Sequence, residues 1–123
     1  MGDLSANLSR HEFACKCGCG FDTVDIETVD VIQGVCDHFI CSVFITSGCR
    51  CAEHNKKVGG HPRSMHMLAR AGDCKFQGVS PDLVWVYLNG KFPDQYGLGL
   101  YNSFIHIDTQ STGPKRWDKR GTA

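Results

Sequence analysis

The sequence predicts an α+β domain: a small, mostly antiparallel sheet with two main helices, at residues 23–39 and 80–90, packed against it. Three observations carry that expectation. Two segments show helical periodicity or helix-start chemistry, two short runs have strand composition or alternation, and 123 residues is the size of one domain that can bury a core without obligatory staples. One domain is expected over residues 1–123, with its core at about 9–110 and a tail at 111–123.

The elements follow in chain order. "LSRHEFACKCGCGFDT" is rich in Gly and Cys and reads as an irregular segment, with Phe13 and Phe21 plugging into the core. "DTVDIETVDVIQGVCDHF" places Val24, Ile26, Val29, Ile32, Val35 and Phe39 near a 3.6 period. It predicts an amphipathic helix of about 14 to 16 residues, capped by Asp22 or Thr23. "SVFITSG" is a β-branched and aromatic run ended by Gly48, the pattern of a buried strand. "CRCAEHNKKVGGHPRS" begins as a short helix and breaks into a loop at Gly59, Gly60 and Pro62.

"SMHMLARAGD" then leads, as loop or helical turn, into a strand at "AGDCKF". In "SPDLVWVYLNGKF", Ser80 as cap, Pro81 at the first helical position and Asp82 in the first turn agree on a helix start, and Gly90 is read as the stop. In "DQYGLGLYNSFIHIDTQ" the glycines mark turns, and "SFIHIDT" sets Phe104, His106 and Asp108 on one strand face against Ile105, Ile107 and Thr109 on the other. The tail "STGPKRWDKRGTA" has turn chemistry at Gly113 and Pro114.

Charge and hydropathy exclude some partners. The 13 basic and 13 acidic residues balance, and the only basic concentration is "PKRWDKR", so nucleic acid is not expected as a partner. No stretch approaches the roughly 18 to 20 apolar residues of a membrane span, and "MGDLSANLSRHEFACKCG" has no apolar signal core. A monomer without membrane contact is expected. Met-Gly at the start is not followed by the Ser or Thr that myristoylation wants, because Ala6 stands there.

Eight cysteines, Cys15, Cys17, Cys19, Cys36, Cys41, Cys49, Cys51 and Cys74, remain to be placed. Without a secretion signal a disulfide framework is not the first reading. C-x-C-x-C also differs from the C-x2-C of zinc ribbons, so structural or free thiols are favoured over a second, cysteine-bound zinc. A bridge such as Cys36 to Cys41 stays compatible.

His66, Asp73 and His106 are the candidate metal ligands. A catalytic zinc site wants three nitrogen or oxygen ligands and one position left for water, and these three meet that if "AGDCKF" and "SFIHIDT" are sheet neighbours. Two histidines and one carboxylate leave the ion positive enough to acidify water and polarise a carbonyl, which suits amide hydrolysis. By spacing alone, a turn aspartate and a surface histidine explain H-x6-D more readily than a metal site does.

The surrounding residues decide between them. "ITSGCRCAEHNKKVGGHPRSMHMLARAGD", residues 45–73, resembles the signature of the M15 family of zinc D,D-carboxypeptidases and phage cell-wall endopeptidases. Ser47, Gly48 and Arg50 match S-G-x-R; His54, Asn55, Gly59 and Gly60 match H-N with its paired glycines; Ser64, His66, Ala71 and Asp73 match the ligand segment; Phe104, His106 and Asp108 match F-x-H-x-D. The likeness extends to "EFACKCGCG" and "YGLGLY", about residues 9–110.

The resemblance implies a hedgehog/D,D-peptidase-like fold and one catalytic zinc on His66, Asp73 and His106. It places Arg50 where a guanidinium fork can hold a substrate carboxylate or steady an oxyanion. Ser64 and His54 are expected at the substrate, with a turn cap and a helix-start packing residue as their structural alternatives. Gly59 and Gly60 are expected to let the backbone pass close to metal or substrate. Tyr96 and Tyr101 line a cleft or are core aromatics with satisfied hydroxyls.

Two positions depart from the family pattern. Ala69 stands where the family has Gly between the ligands, and it fits if the local φ is negative. Ser103 stands where several branches have the Glu or Asp that takes a proton from water. Asp108 is the nearest substitute, either as that base or as the group that orients His106 or Arg50.

The expected function is a zinc-dependent peptidase on peptidoglycan stem peptides, of carboxypeptidase or endolysin type. The alternative is a zinc-containing wall-peptide binding module that does not cut. Either would be a phage-encoded or bacterial cytoplasmic product that meets the wall after release.

Overall fold

The structure is a computed structural model that describes residues 2–61, 64–110 and 114–120. The expected break at Pro62 and turn at Gly113 lie outside the described residues. Among the described residues three helices, α1 (Ile26–Phe39), α2 (Ala52–Lys57) and α3 (Pro81–Lys91), join five strands: β1 (Val43–Ser47), β2 (Ala71–Phe76), β3 (Gly97–Leu100), β4 (Ile105–Asp108) and β5 (Lys115–Asp118). Short 3-10 turns cover Arg10–Phe13 and Met65–Leu68. The architecture is α+β, with strand order β1-β2-β4-β3-β5.

The sheet is mixed, which corrects the expectation of a mostly antiparallel one. β1 with β2, β2 with β4 and β4 with β3 are antiparallel, but β5 lies parallel to β3. The cause is the segment read as a tail: after β4 the chain crosses to the other side of β3 and runs beside it in the same direction. Gly97 and Gly99, read as turn residues, are inside β3. A Cβ on Gly97 would overlap the Asp108 carboxylate, and one on Gly99 would overlap the Trp117 indole. Glycine is there for close approach, not for turning.

α1 begins later than expected. Its cap is Asp25, held in extended backbone while its N–H donates to the Ala69 carbonyl at 2.8 Å, so a tertiary bond outweighs the local signals of Asp22 and Thr23. α3 starts at Pro81 as expected but continues through Gly90 to end at Lys91. The stop is Phe92, whose N–H closes on the Leu88 carbonyl at 2.8 Å.

One face of the sheet is the core. Val29, Ile32 and Val35 of α1 and Val84 and Leu88 of α3 pack with Leu98, Ile105 and Ile107, together with Leu8 and Phe13 from the N-terminal segment. Burying each Ile of β4 completely is worth about 1.5–3 kcal/mol. A one-residue slip would forfeit both, so register is firmly specified and His106 and Asp108 are driven to the opposite face. A buried bond between Thr28 and Thr109 hydroxyls, 2.7 Å, ties α1 to the end of β4. Phe21 is half-buried in a smaller cluster with Cys15, Cys49, Cys51 and Ala69. All eight cysteines are unbridged, Cys36 and Cys41 included.

Candidate metal centre

Strand pairing builds the centre. Asp73 of β2 sits directly across from His106 of β4, and the 3-10 turn before β2 brings His66 over them. The His66 Nε2 lies 3.3 Å from Asp73 Oδ1, and the His106 Nδ1 lies 2.9 Å from the same oxygen. One donor atom from each of the three residues falls within 4.8 Å of the others. Nitrogen and oxygen ligands about 2.0–2.1 Å from a tetrahedral zinc stand about 3.3–3.4 Å apart, so the spacing fits the ion. All three residues are buried.

The outward ring nitrogens are held as well. His66 Nδ1 bonds the Gly48 carbonyl, and His106 Nε2 bonds Asp108 Oδ2 at 2.8 Å. Each contact leaves the other nitrogen facing Asp73, the tautomer control typical of metal-binding histidines. The other Asp108 oxygen accepts from the Gln110 N–H at 3.3 Å. Trp117 stands beside His106 with ring centroids 5.0 Å apart, so β5 contributes a wall of the site.

The electrostatics are those of ion ligands held close together. Burial disfavours a charged His106, yet hydrogen bonds to Asp108 and then Asp73 raise its imidazole to about 9. Burial would raise the Asp73 carboxyl, but hydrogen bonds from His106 and His66 hold it well below the usual carboxylate range. A metal ion entering the group competes with the proton on His106.

Arg50 is fixed beside the three. Its Nε donates to Ser47 Oγ at 3.1 Å, one terminal nitrogen to Asn55 Oδ1 at 3.2 Å, and the other reaches Asp73 Oδ2 at 3.5 Å. A bulge in β1, where pairing moves from Ile45 opposite Cys74 to Ser47 opposite Asp73, sets Ser47 at that position. Asn55 is buried, and its amide also donates to the His61 carbonyl at 2.9 Å. A Cβ on Gly60 would overlap the Asn55 amide and crowd Arg50. The close approach foreseen for the paired glycines is thus to Asn55 and Arg50, while Gly59 takes a left-handed φ of 74°.

Other candidates sit further out. The Ser64 hydroxyl accepts from the His66 N–H at 3.2 Å and caps the Met65–Leu68 turn. His54 lies in the first turn of α2, its N–H donating to Cys51 Sγ at 3.4 Å. Tyr96 donates its hydroxyl to Glu27 at 2.9 Å, and the Tyr101 hydroxyl accepts from Trp117 Nε1 at 3.1 Å, so both have satisfied polar tips. Ser103 is exposed in the turn between β3 and β4. Asn55, the Gly48 carbonyl and Trp117 are the site elements that sequence reasoning left without a role. For the first two, H-N and S-G-x-R were the available signals.

Ala69 overturns its expectation. It ends the Met65–Leu68 turn at φ 58°, in the left-handed region, so the position demands what glycine offers and alanine occupies it under strain. The ligands keep their places because the Ala69 N–H and carbonyl are both bonded, to the His66 carbonyl and the Asp25 N–H.

Comparison with known proteins gives one result. No curated protein and no solved structure matches the chain. A family model described as Peptidase M15 matches residues 6–108, a span that holds all three residues of the candidate centre and Arg50. With most of its length matched, and with a possible His–Asp–His metal site inside that match, the chain belongs to the Peptidase M15 family, which points to a metallopeptidase.

Proposed function

We propose that the protein is a zinc-dependent peptidase acting on stem peptides of bacterial peptidoglycan, as a D,D-carboxypeptidase or an endolysin, on a hedgehog/D,D-peptidase-like scaffold. The observation that carries this is the convergence of His66, Asp73 and His106, each histidine anchored through its outward nitrogen, beside a tethered Arg50. His66 Nε2, a carboxylate oxygen of Asp73 and His106 Nδ1 would hold the ion. Bound zinc supplies Lewis acidity toward a carbonyl and an acidified water.

The chain's own residues do the rest. Of the five N–H groups of a guanidinium, three of Arg50's are engaged by described residues, and among those residues this leaves two to offer a peptide carboxylate or a developing oxyanion. Asp108 keeps a proton on His106 Nε2 and so aims Nδ1 at the ion. That contact supports an orienting role for Asp108 over that of a proton acceptor. Acting as a monomer, the protein would reach the wall after release.

One observation favours a second reading, a zinc-holding module that binds wall peptide without cutting it. Ser103 offers no carboxylate, and both oxygens of Asp108 already have partners. The test is incubation of the zinc-loaded chain with purified peptidoglycans of several cross-link chemistries. Release of new amino termini or of D-Ala supports the peptidase. Retained zinc and peptide binding without any release transfers the assignment to the binding module.

A further inference from the structure

Four sulphurs outside the His–Asp–His group meet at the start of α2. Cys15, Cys17 and Cys19 come from the N-terminal segment and Cys51 caps the helix, and their Sγ atoms all lie within 4.8 Å of one another. Cys15 to Cys17 is 3.4 Å, Cys17 to Cys51 is 3.5 Å and Cys15 to Cys51 is 3.8 Å. A disulfide needs about 2.05 Å, whereas the edge of a tetrahedron of thiolates about 2.3 Å from zinc is about 3.8 Å. The spacing matches a ligand tetrahedron.

The backbone is shaped to make it. Gly18 and Gly20 have φ of 80° and 91°, and a Cβ built on either would meet nothing within 4 Å. Conformation and not crowding is what calls for glycine there, to fold "CKCGCG" into a knuckle. The Cys15 N–H closes that knuckle on the Phe21 carbonyl at 2.7 Å, and the Gly18 N–H returns to the Cys15 carbonyl at 3.2 Å. Backbone N–H groups of Cys51 and His54 donate to the sulphurs of Cys15 and Cys51, both at 3.4 Å, which favours thiolate. Cys49 stands apart, its thiol engaged by the Phe13 and Phe21 carbonyls at 3.0 Å.

We infer that Cys15, Cys17, Cys19 and Cys51 form a second metal site, a structural zinc centre separate from the His–Asp–His group. Four thiolates close the coordination shell and leave no position for water, so the site holds structure and performs no chemistry. Binding displaces the thiol protons. The ion pins the N-terminal segment to the first turn of α2, one turn before the Asn55 that holds Arg50.

The test is metal analysis of the whole chain purified under reductant, together with optical spectra after replacement by cobalt, for wild type, a Cys17→Ser/Cys19→Ser double variant and His66→Ala. Cys17 and Cys19 are exposed, so their replacement leaves the core intact. Expected are two zinc per wild-type chain and a thiolate-to-cobalt charge-transfer band. The double variant drops to one zinc and loses the band, while His66→Ala drops to one zinc and keeps it. A wild-type spectrum without that band, a band unchanged in the double variant, or a disulfide among the four under reductant overturns the inference. One zinc with the band present upholds it and removes the His–Asp–His reading instead.

Discussion

Asp108 holds the far side of the His106 ring, with Oδ2 2.8 Å from Nε2, two residues along the same strand face. Side chains at alternate strand positions project together, so the pair needs no other element to meet. Asp108→Asn keeps the shape and removes the charge. Zinc affinity at the His–Asp–His group is expected to fall about 10–100-fold, measured by competition with a chelator. A variant that binds zinc as wild type does yet turns nothing over would make Asp108 the proton acceptor instead.

Arg50 is expected to act on the reacting peptide and Asn55 to act through Arg50. Arg50→Ala should lower kcat/KM by about 10²–10³-fold with zinc content unchanged, the usual loss of an oxyanion donor. Asn55→Ala should give a smaller loss, and Asn55→Asp, which still accepts from the guanidinium, should recover part of it. Steady-state kinetics on a soluble stem peptide separate the cases. Equal losses in Asn55→Ala and Asn55→Asp would mean that the bond to Arg50 is not what matters.

Gly97→Ala should disturb the centre from the neighbouring strand. The added methyl would overlap the Asp108 carboxylate. Overpacking of this kind costs about 1–3 kcal/mol and forces Asp108 away from His106. Thermal unfolding should report the first effect, and a loss of zinc affinity like that of Asp108→Asn should report the second. Unchanged zinc binding would separate Asp108 from metal retention.

At Ala69 two effects oppose each other. Glycine there relieves a left-handed strain of about 1–2 kcal/mol. It also loses a buried methyl worth about 0.8 kcal/mol and adds unfolded-state freedom worth about 0.4–1 kcal/mol. Ala69→Gly is therefore expected within about 1 kcal/mol of wild type, while Ala69→Val, β-branched at positive φ, should lose more than about 2 kcal/mol. Denaturant titration of both distinguishes this from simple packing, which would rank Val above Gly.

The core elements were legible where one rule governs them. The period of "DTVDIETVDVIQGVCDHF", the start signals at Ser80 and Pro81, and the alternation of "SFIHIDT" reported α1, α3 and β4 because each depends on burial or capping by near neighbours. What escaped depends on distant residues. "GLGL" alternates at period two, but its glycines answer to Asp108 and Trp117, so they read as turns until those neighbours are known. Cys51 completes a group begun by Cys15, Cys17 and Cys19, and no local spacing rule links the α2 cap to the N-terminal knuckle. Ala69 is the exception: its positive φ belongs to the local closure of the Met65–Leu68 turn, where the Ala69 N–H returns to His66 and the Arg70 N–H to Met65, and an alanine at that place does not announce it.

The return of residues Lys115–Asp118 to β3 has a consequence for what the edge of the sheet offers to other chains. Without that strand, the backbone of β3 would be an open row of donors and acceptors, a template on which other chains can add. With it, the rim of the sheet is "KRWD", followed by Lys119 and Arg120, the charged composition that discourages such addition. The basic stretch that looks like a candidate for binding something is better understood as a guard. A chain trimmed at residue 110 would lose both that guard and the indole beside His106, and should aggregate before any activity could be assayed.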